Sequence, residues 1–166
     1  MRVMDPELLG ALIDRHSAAL VLYARQWCAA PEDVVQEAFL KLVQQREPVV
    51  QPVAWLYRVV RNGAISQARS ARRRQTHEAR AAERAPAWFI PPDDPTGLDV
   101  ARVTTALAEL PVEQREPIVA HLWGGLTFEQ IAELAGSSAA TAYRRYAAGL
   151  AALRERLGVP CPSRTT

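Results

Sequence analysis

Thr127-Phe128-Glu129-Gln130-Ile131-Ala132-Glu133-Leu134-Ala135-Gly136-Ser137-Ser138-Ala139-Ala140-Thr141-Ala142-Tyr143-Arg144-Arg145-Tyr146 is the stretch on which the fold turns. It reads as two helices joined by a tight turn. Thr127 stands where it can cap the first helix, and Gln130 three residues later completes a capping box, which satisfies two N–H groups left bare at the helix start. Ile131, Ala132 and Leu134 share an inward face, and Ala132 is small where two helices must cross closely. Gly136 permits the left-handed backbone that a tight turn demands. Ser137 or Ser138 caps the second helix. Ala142, Tyr146, Leu150 and Leu153 form the buried stripe of that helix, which leaves Thr141, Tyr143 and Arg144 off the stripe near its N-terminus. This is the layout of a helix-turn-helix, whose second helix meets base edges and phosphates with its N-terminal residues. A generic helical hairpin shares parts of the pattern. Capping box, small alanine, glycine turn and exposed arginines together favour DNA binding.

Working outward, the flanking sequence is helical as well. Leu98 to Leu110 reads as a helix stopped by Pro111, and Val112 to Trp123 as another, broken by Gly124-Gly125. In the N-terminal half, Leu8, Leu12, Leu20, Tyr23 and Trp27 recur at helical spacing over residues 5–28. Leu9, Ile13 and Ala24 widen that stripe, and Asp5-Pro6-Glu7 supplies a cap, a first-turn proline and an acid. A second helix, 32–45, carries Val35, Phe39 and Leu42 on one side and Asp33, Gln36, Glu37 and Lys41 mostly on the other. Pro48 and Pro52 mark a loop. A third helix runs from about residue 53 to 74, with a continuation to 85 open; Gly63 weakens it locally by about 1 kcal/mol relative to alanine. No stretch shows the period-two alternation of a strand.

Pro86, Pro91, Pro92, Pro95 and Gly97 punctuate residues 86–97. That density stops any helix and predicts a linker between two small helical domains, residues 1–85 and 98–158, with a flexible tail at 159–166. The linker leads us to expect that the two domains move independently until they bind something. Trp88, Phe89 and Ile90 within it are expected to dock rather than stay in solvent, and Asp93-Asp94 to keep it soluble.

The net charge of +2 hides an uneven distribution. Residues 54–74 carry Arg58, Arg61, Arg69, Arg72, Arg73 and Arg74 with no acid, while elsewhere acids match or outnumber bases. A concentrated acid-free arginine stretch is the footprint of a polyanion-binding surface. Arg58, Arg61 and Asn62 lie within a turn of one another; arginine reaches phosphate or guanine, and asparagine reads adenine. Arg69 and Arg72 to Arg74 suit phosphates. Trp55 and Tyr57 could stack on separated bases, although core packing accounts for Trp55 equally well.

Other function classes recede. Cys28 and Cys161 are the only cysteines, which argues against a disulfide framework or a Cys-rich zinc site and fits a reducing cytoplasm. His16, His77 and His121 stand apart, with no acid or nucleophile spaced to serve them, so each reads as structural. No catalytic residue, metal or cofactor is expected, and the chain is not read as an enzyme. No apolar run approaches the about 20 residues a membrane span needs, and the N-terminus lacks a secretory signal.

The C-terminal half, from Ala106-Leu107-Ala108-Glu109-Leu110-Pro111 through Gln114-Arg115-Glu116 and Gly125-Leu126-Thr127 to Ala151-Ala152-Leu153-Arg154-Glu155-Arg156-Leu157, resembles region 4 of a bacterial sigma factor. Asp33-Val34-Val35-Gln36-Glu37-Ala38-Phe39-Leu40-Lys41-Leu42 resembles the part of region 2 that grips the RNA polymerase clamp, and Ala54-Trp55-Leu56-Tyr57-Arg58-Val59-Val60-Arg61-Asn62 the helix that meets the minus-ten promoter element. A chain with regions 2 and 4 alone is similar to the extracytoplasmic-function (ECF) class of the sigma-70 family. The resemblance implies an all-α fold: a three-helix region 2 and a helix-turn-helix region 4 joined by the proline-rich linker. It implies core RNA polymerase and promoter DNA as partners, and an anti-sigma factor as a further candidate. Core polymerase would meet Asp33, Gln36, Glu37 and Lys41. The minus-ten element would meet Trp55, Tyr57, Arg58, Arg61, Asn62, Arg69, Arg72, Arg73 and Arg74. The minus-thirty-five element would meet Ser138, Thr141, Tyr143, Arg144 and Arg145. The chain departs from the family pattern in the short Gln45 to Val53 loop, in Gly63, which interrupts a helix usually unbroken, and in Tyr143 and Ala148, where many relatives are basic. Two other readings are a free-standing helix-turn-helix regulator that binds DNA without polymerase, and a helical protein that only sequesters a partner. The 33–42 motif and the arginine helix argue against the first, the recognition-helix arginines against the second.

Overall fold

Proline opens each of the first three helices in a computed structural model that describes residues 5–77 and 100–159. These are α1 (Pro6–Ala24), α2 (Pro31–Val43) and α3 (Pro52–His77). Proline's fixed φ suits the first helical turn, where its missing N–H would be unpaired in any case. Asp5 caps α1 by accepting from the Glu7 amide at 2.9 Å. The helix ends at Ala24, four residues earlier than the apolar spacing suggests. Gln26 and Trp27 close its end through three-residue bonds to Tyr23 and Ala24 carbonyls, and Arg25 pairs with Glu32 at 2.9 Å as the chain turns into α2.

The three helices bury Leu20, Tyr23, Val35, Ala38, Leu42, Leu56 and Val60 between them. Leu8 and Ile13, expected in this stripe, are exposed. The start of α1 splays from α2, leaving an apolar groove along Leu9, Ile13, Val35, Phe39 and Leu40. Gly63 does not interrupt α3, which runs unbroken through it. A Cβ there would lie 3.0 Å from Val34 Cγ1, so the absent side chain is what lets α2 and α3 approach.

The second bundle comprises α4 (Val100–Ala108), α5 (Val112–Leu122), α6 (Phe128–Ala135) and α7 (Ala139–Leu157). Every regular element among the described residues is a helix. α7 is the spine, packed on α4, α5 and α6. Ile118, Val119, Leu126 and Ile131 are buried against it. Gly149 makes the α5–α7 crossing close: a Cβ would sit 2.7 Å from Ile118 Cδ1 and 2.9 Å from the Gln114 carbonyl.

In this structure the two bundles, expected as separate bodies on a linker, are in contact. α1 packs on α5, and α3 on α6. Gly124 at the end of α5 admits the Tyr57 ring, whose hydroxyl would lie 2.7 Å from an added Cβ. The physical reason is polar as well as steric, because a buried carboxylate on α5 finds its partners on α1 and α3. The linker 86–97 with Trp88, Phe89, Ile90, Asp93 and Asp94, the continuation of α3 beyond residue 77 and most of the tail lie outside the described residues.

Candidate nucleic-acid interface

The 127–146 stretch folds as its chemistry dictates. The Thr127 amide donates to Gln130 Oε1 at 2.9 Å and the Gln130 amide to Thr127 Oγ1 at 3.3 Å, so the capping box is complete. Gly136 takes φ 62° and ψ 41°, the left-handed conformation, and the chain then reverses with the Ser137 amide bonded to the Ala132 carbonyl at 2.9 Å. Ser138, rather than Ser137, is the cap of α7 and accepts from the Thr141 amide at 3.1 Å.

That cap begins a short polar chain on the outer side of α7. The Ser138 and Thr141 hydroxyls lie 3.0 Å apart, and Arg144 Nη2 donates to Thr141 Oγ1 at 3.2 Å. Arg144 and Tyr143 are exposed, while Arg145 is half-buried. The Tyr143 ring stands edge-on to Phe128 at 5.3 Å. Phe128 in turn stacks on His121 at 4.6 Å, and His121 Nδ1 meets the Leu126 carbonyl at 2.7 Å. His121 is therefore a structural histidine. The support that Phe128 gives Tyr143 was not evident from spacing, because the two side chains come from different helices of the motif.

On α3, Arg58, Arg61, Asn62, Arg69, Arg72 and Arg73 recur at intervals that return to the same side of a helix every three or four residues. They form one stripe roughly 22 Å long at 1.5 Å per residue; Arg74 falls off it. Asn62, Arg69, Arg72, Arg73 and Arg74 are exposed, and Arg73 Nη2 reaches Ser70 Oγ at 3.1 Å. Trp55 is half-buried against the core. Tyr57 differs from its expected role: it is fully buried, its ring 4.8 Å from that of Tyr23, and it offers no face to a base in this conformation.

Arg58 and Arg61 are already engaged. Arg61 Nε donates to Glu116 Oε1 at 2.7 Å, with Nη2 at 3.4 Å from Oε2. The Tyr23 hydroxyl donates to the same Oε1 at 2.7 Å, and the Arg61 guanidinium lies 5.7 Å over the Trp27 ring. Burial alone would lower the Arg61 guanidinium, but the Glu116 carboxylate more than offsets it and holds the group above its ordinary value. Arg58 Nη2 meets Glu133 Oε2 at 3.2 Å. Two further contacts follow the same seam: Gln130 Nε2 donates to Gln51 Oε1 at 2.8 Å, and Arg115 Nε to Gln26 Oε1 at 3.4 Å. The sequence shows Glu116 only as part of the region 4 resemblance and gives it no role. The available signal was an acid set directly against the apolar run Pro117-Ile118-Val119-Ala120.

Asp33, Gln36, Glu37 and Lys41 are exposed on α2, with Lys41 Nζ 2.8 Å from Glu37 Oε1 one turn away. Among the described residues no group of three or more histidines, cysteines or acids is gathered to hold a metal ion. None of the described helices is long and apolar enough to cross a membrane.

Family models match both bundles in order. Sigma-70 region 2 covers residues 12–74, and Sigma-70, region 4 covers residues 101–153. The ECF RNA polymerase sigma factor SigL of Mycobacterium tuberculosis is 35% identical over 165 residues, 93% of this chain and 93% of its own length. RNA polymerase sigma factor CarQ of Myxococcus xanthus is 32% identical over 133 residues, 78% of this chain and 76% of its own. In fold, the chain is similar to the sigma factor RpoE in its co-crystal with the anti-sigma factor NepR from Bartonella quintana. The TM-score is 0.72 at 22% identity, over 95% of this chain and all of that one.

Proposed function

The chain belongs to the sigma-70 family, with the regions of its ECF class, and from that premise we propose that it binds core RNA polymerase and directs it to promoters. The observation that carries the proposal is the pairing, in one chain, of a region 2 bundle bearing an arginine stripe with a region 4 helix-turn-helix whose outer side bears Ser138, Thr141, Tyr143 and Arg144. A free-standing regulator needs only the second of these.

The role is recognition and strand separation, that of an initiation factor rather than an enzyme. α2 offers core polymerase Asp33, Gln36, Glu37 and Lys41, four polar side chains on one exposed face, with Gln36 at the rim of the apolar groove. The α3 stripe faces the minus-ten element, Arg69, Arg72 and Arg73 holding phosphates together with Arg74 beside the stripe, while Arg58, Arg61 and Asn62 lie nearer the bases. Trp55 supports the strand from its half-buried seat. α7 enters the major groove at the minus-thirty-five element with Thr141, Tyr143 and Arg144; Ser138 and Arg145 position it. Site of action is the cytoplasm, where core polymerase and promoter DNA are, and an anti-sigma factor is a further partner.

The decisive experiment is co-purification with core RNA polymerase followed by promoter-directed transcription in vitro. Charge reversal at Asp33 and Glu37 is expected to weaken polymerase capture while leaving helical content unchanged. Capture equal to that of the unaltered chain would remove α2 from the interface, and no capture of polymerase by the unaltered chain would favour the free-standing regulator.

A further inference from the structure

Glu116 is buried at 6% exposure, the only charged residue so enclosed among the described residues. It belongs to α5 of region 4, yet the groups that satisfy it, the Tyr23 hydroxyl and the Arg61 guanidinium, belong to region 2. A carboxylate stays buried and ionised only when paired and hydrogen-bonded. The α5 surface around Glu116 is therefore complete only when region 2 covers it. Glu133 on α6 repeats the arrangement toward the rim, on Arg58, and Gln130 on Gln51 extends it.

These two carboxylates sit on the first two arginines of the α3 stripe. To a guanidinium, a carboxylate and a phosphodiester offer the same chemistry, a pair of anionic oxygens at hydrogen-bond distance. We infer that region 4 serves as an internal substitute for promoter DNA: Glu116 and Glu133 hold Arg61 and Arg58, so docking of region 4 on region 2 and gripping of DNA by this end of α3 exclude each other. The inference rests on the reading of the α3 stripe as the minus-ten surface. Its consequences are asymmetric. Arg69, Arg72 and Arg73, further along the stripe, and Arg74 off it stay exposed, as do Tyr143 and Arg144 on α7. The closed chain can still approach DNA electrostatically, but cannot seat the nucleic acid at Arg58 and Arg61 until region 4 lifts away. Affinity for DNA is then scaled by the fraction of molecules that are open.

The test uses the full free chain, without polymerase, and a pool of fluorescent single-stranded oligonucleotides of random sequence. Glu116→Gln with Glu133→Gln should enlarge the particle in small-angle scattering and tighten binding by about tenfold, the factor expected if the open form is a minor species. Glu113→Gln with Glu155→Gln removes the same charge from exposed positions and should leave affinity within about twofold, since rim charges act mainly through a screened field. In the opened variant, Arg58→Ala with Arg61→Ala should abolish the gain. A second arm does not depend on how the acid variants fold: Gln51→Cys and Gln130→Cys, in a Cys161→Ser chain, joined by a short bis-maleimide, should lose binding relative to the same chain left unlinked. An equal gain in the exposed-acid control, an expanded particle with unchanged affinity, or undiminished binding by the linked chain would each overturn the inference. If Arg58→Ala with Arg61→Ala weakens binding while opening changes nothing, the inference alone fails. If the opened variant binds more tightly and the arginine changes leave that binding intact, the minus-ten reading of Arg58 and Arg61 fails with it.

Discussion

The Tyr23 hydroxyl and the Glu116 carboxylate, 93 residues apart in the chain, meet in a 2.7 Å hydrogen bond at the buried seam between the two bundles. Tyr57 lies against Tyr23 and is buried just as deeply, but its hydroxyl has no hydrogen-bond partner among the described residues. The two phenols should respond oppositely to loss of oxygen. Tyr23→Phe removes a bond to a charged acceptor and should cost about 1.5–3 kcal/mol. Tyr57→Phe removes an unpaired buried hydroxyl, and should be neutral or stabilising by up to about 1 kcal/mol. Urea denaturation of both variants checks this; equal losses would contradict the different hydrogen bonding of the two groups.

Alkaline pH should act on the same seam. Burial, reinforced by the Glu116 charge, pushes Tyr23 well above the ordinary phenol range. Burial pushes Tyr57 up as well, and Cys28 in the core of the first bundle. Each group holds its proton in the folded chain at a pH where the unfolded chain releases it. Their contribution to stability is whole below the unfolded values, about 8.5 for a thiol and 10 for a phenol, and is lost as pH rises toward the folded ones. The urea midpoint should therefore decline gently above about pH 8.5 and more steeply above about pH 10. In the Tyr23→Phe, Tyr57→Phe double variant the steep part should flatten. A steep decline of the same size in that variant would locate the alkaline sensitivity elsewhere.

Elements whose identity is set locally were legible in the sequence. The Thr127–Gln130 capping box, the Gly136 turn and the Asp5 cap with Pro6 behind it depend on neighbours within four residues, and each stands where the residue pattern placed it; Pro52, expected in a loop, is instead the first residue of α3. What was not legible is what depends on a partner distant in sequence. Gly63 looks like a flaw in a helix until Val34 is seen beside it. Tyr57 has the chemistry of a base-stacking side chain, and only the approach of Gly124 turns it into core. Arg58 and Arg61 declare a taste for anions, but nothing in their own helix says that Glu133 and Glu116 supply them. Periodicity makes the apolar stripe of α1 look continuous because it cannot tell which part of a helix has a neighbour; the Leu8 end is exposed.

Gly149 provides a packing test in region 4. Alanine normally stabilises a helix relative to glycine by about 1 kcal/mol. Here the new Cβ would meet the Gln114 carbonyl at 2.9 Å and Ile118 Cδ1 at 2.7 Å, and backbone cannot rotate aside as a side chain can. Overpacking of this kind costs typically about 1–3 kcal/mol. Gly149→Ala should thus destabilise the chain, by thermal unfolding, despite its better helix propensity. Thr127→Ala, which strips the capping box from α6, should cost about 1 kcal/mol without altering α5–α7 packing. A Gly149→Ala variant more stable than the original would mean that α5 and α7 can separate freely.

The division of labour on DNA can be read from how each arginine is held. Arg144 is exposed near the start of α7, nearly two turns from the Ser138 cap, and its guanidinium is oriented by the Thr141 hydroxyl at 3.2 Å. A side chain fixed to a helix that enters a groove can report on a particular base pair, and its loss should cost on the order of 1–3 kcal/mol with relaxed preference at that position. Arg72, Arg73 and Arg74 lie near the last described residues of α3, outside the helix-turn-helix, and Arg74 is off the stripe that the others share. Contacts of that sort neutralise phosphates, so their loss should weaken every sequence alike and flatten the salt dependence. Arg145, half-buried behind Arg144, should behave as a support for α7. In transcription with purified core polymerase across a library of upstream-element variants, Arg144→Ala is therefore expected to impair one promoter class selectively. Triple alanine substitution at Arg72, Arg73 and Arg74 is expected to lower transcription from all of them. Thr141→Val, which removes the hydroxyl that orients Arg144 and keeps the charge, should reproduce part of the Arg144→Ala selectivity. Equal loss on every variant by Arg144→Ala would reduce Arg144 to a phosphate contact, and selective loss by the triple variant would move base reading to the end of α3.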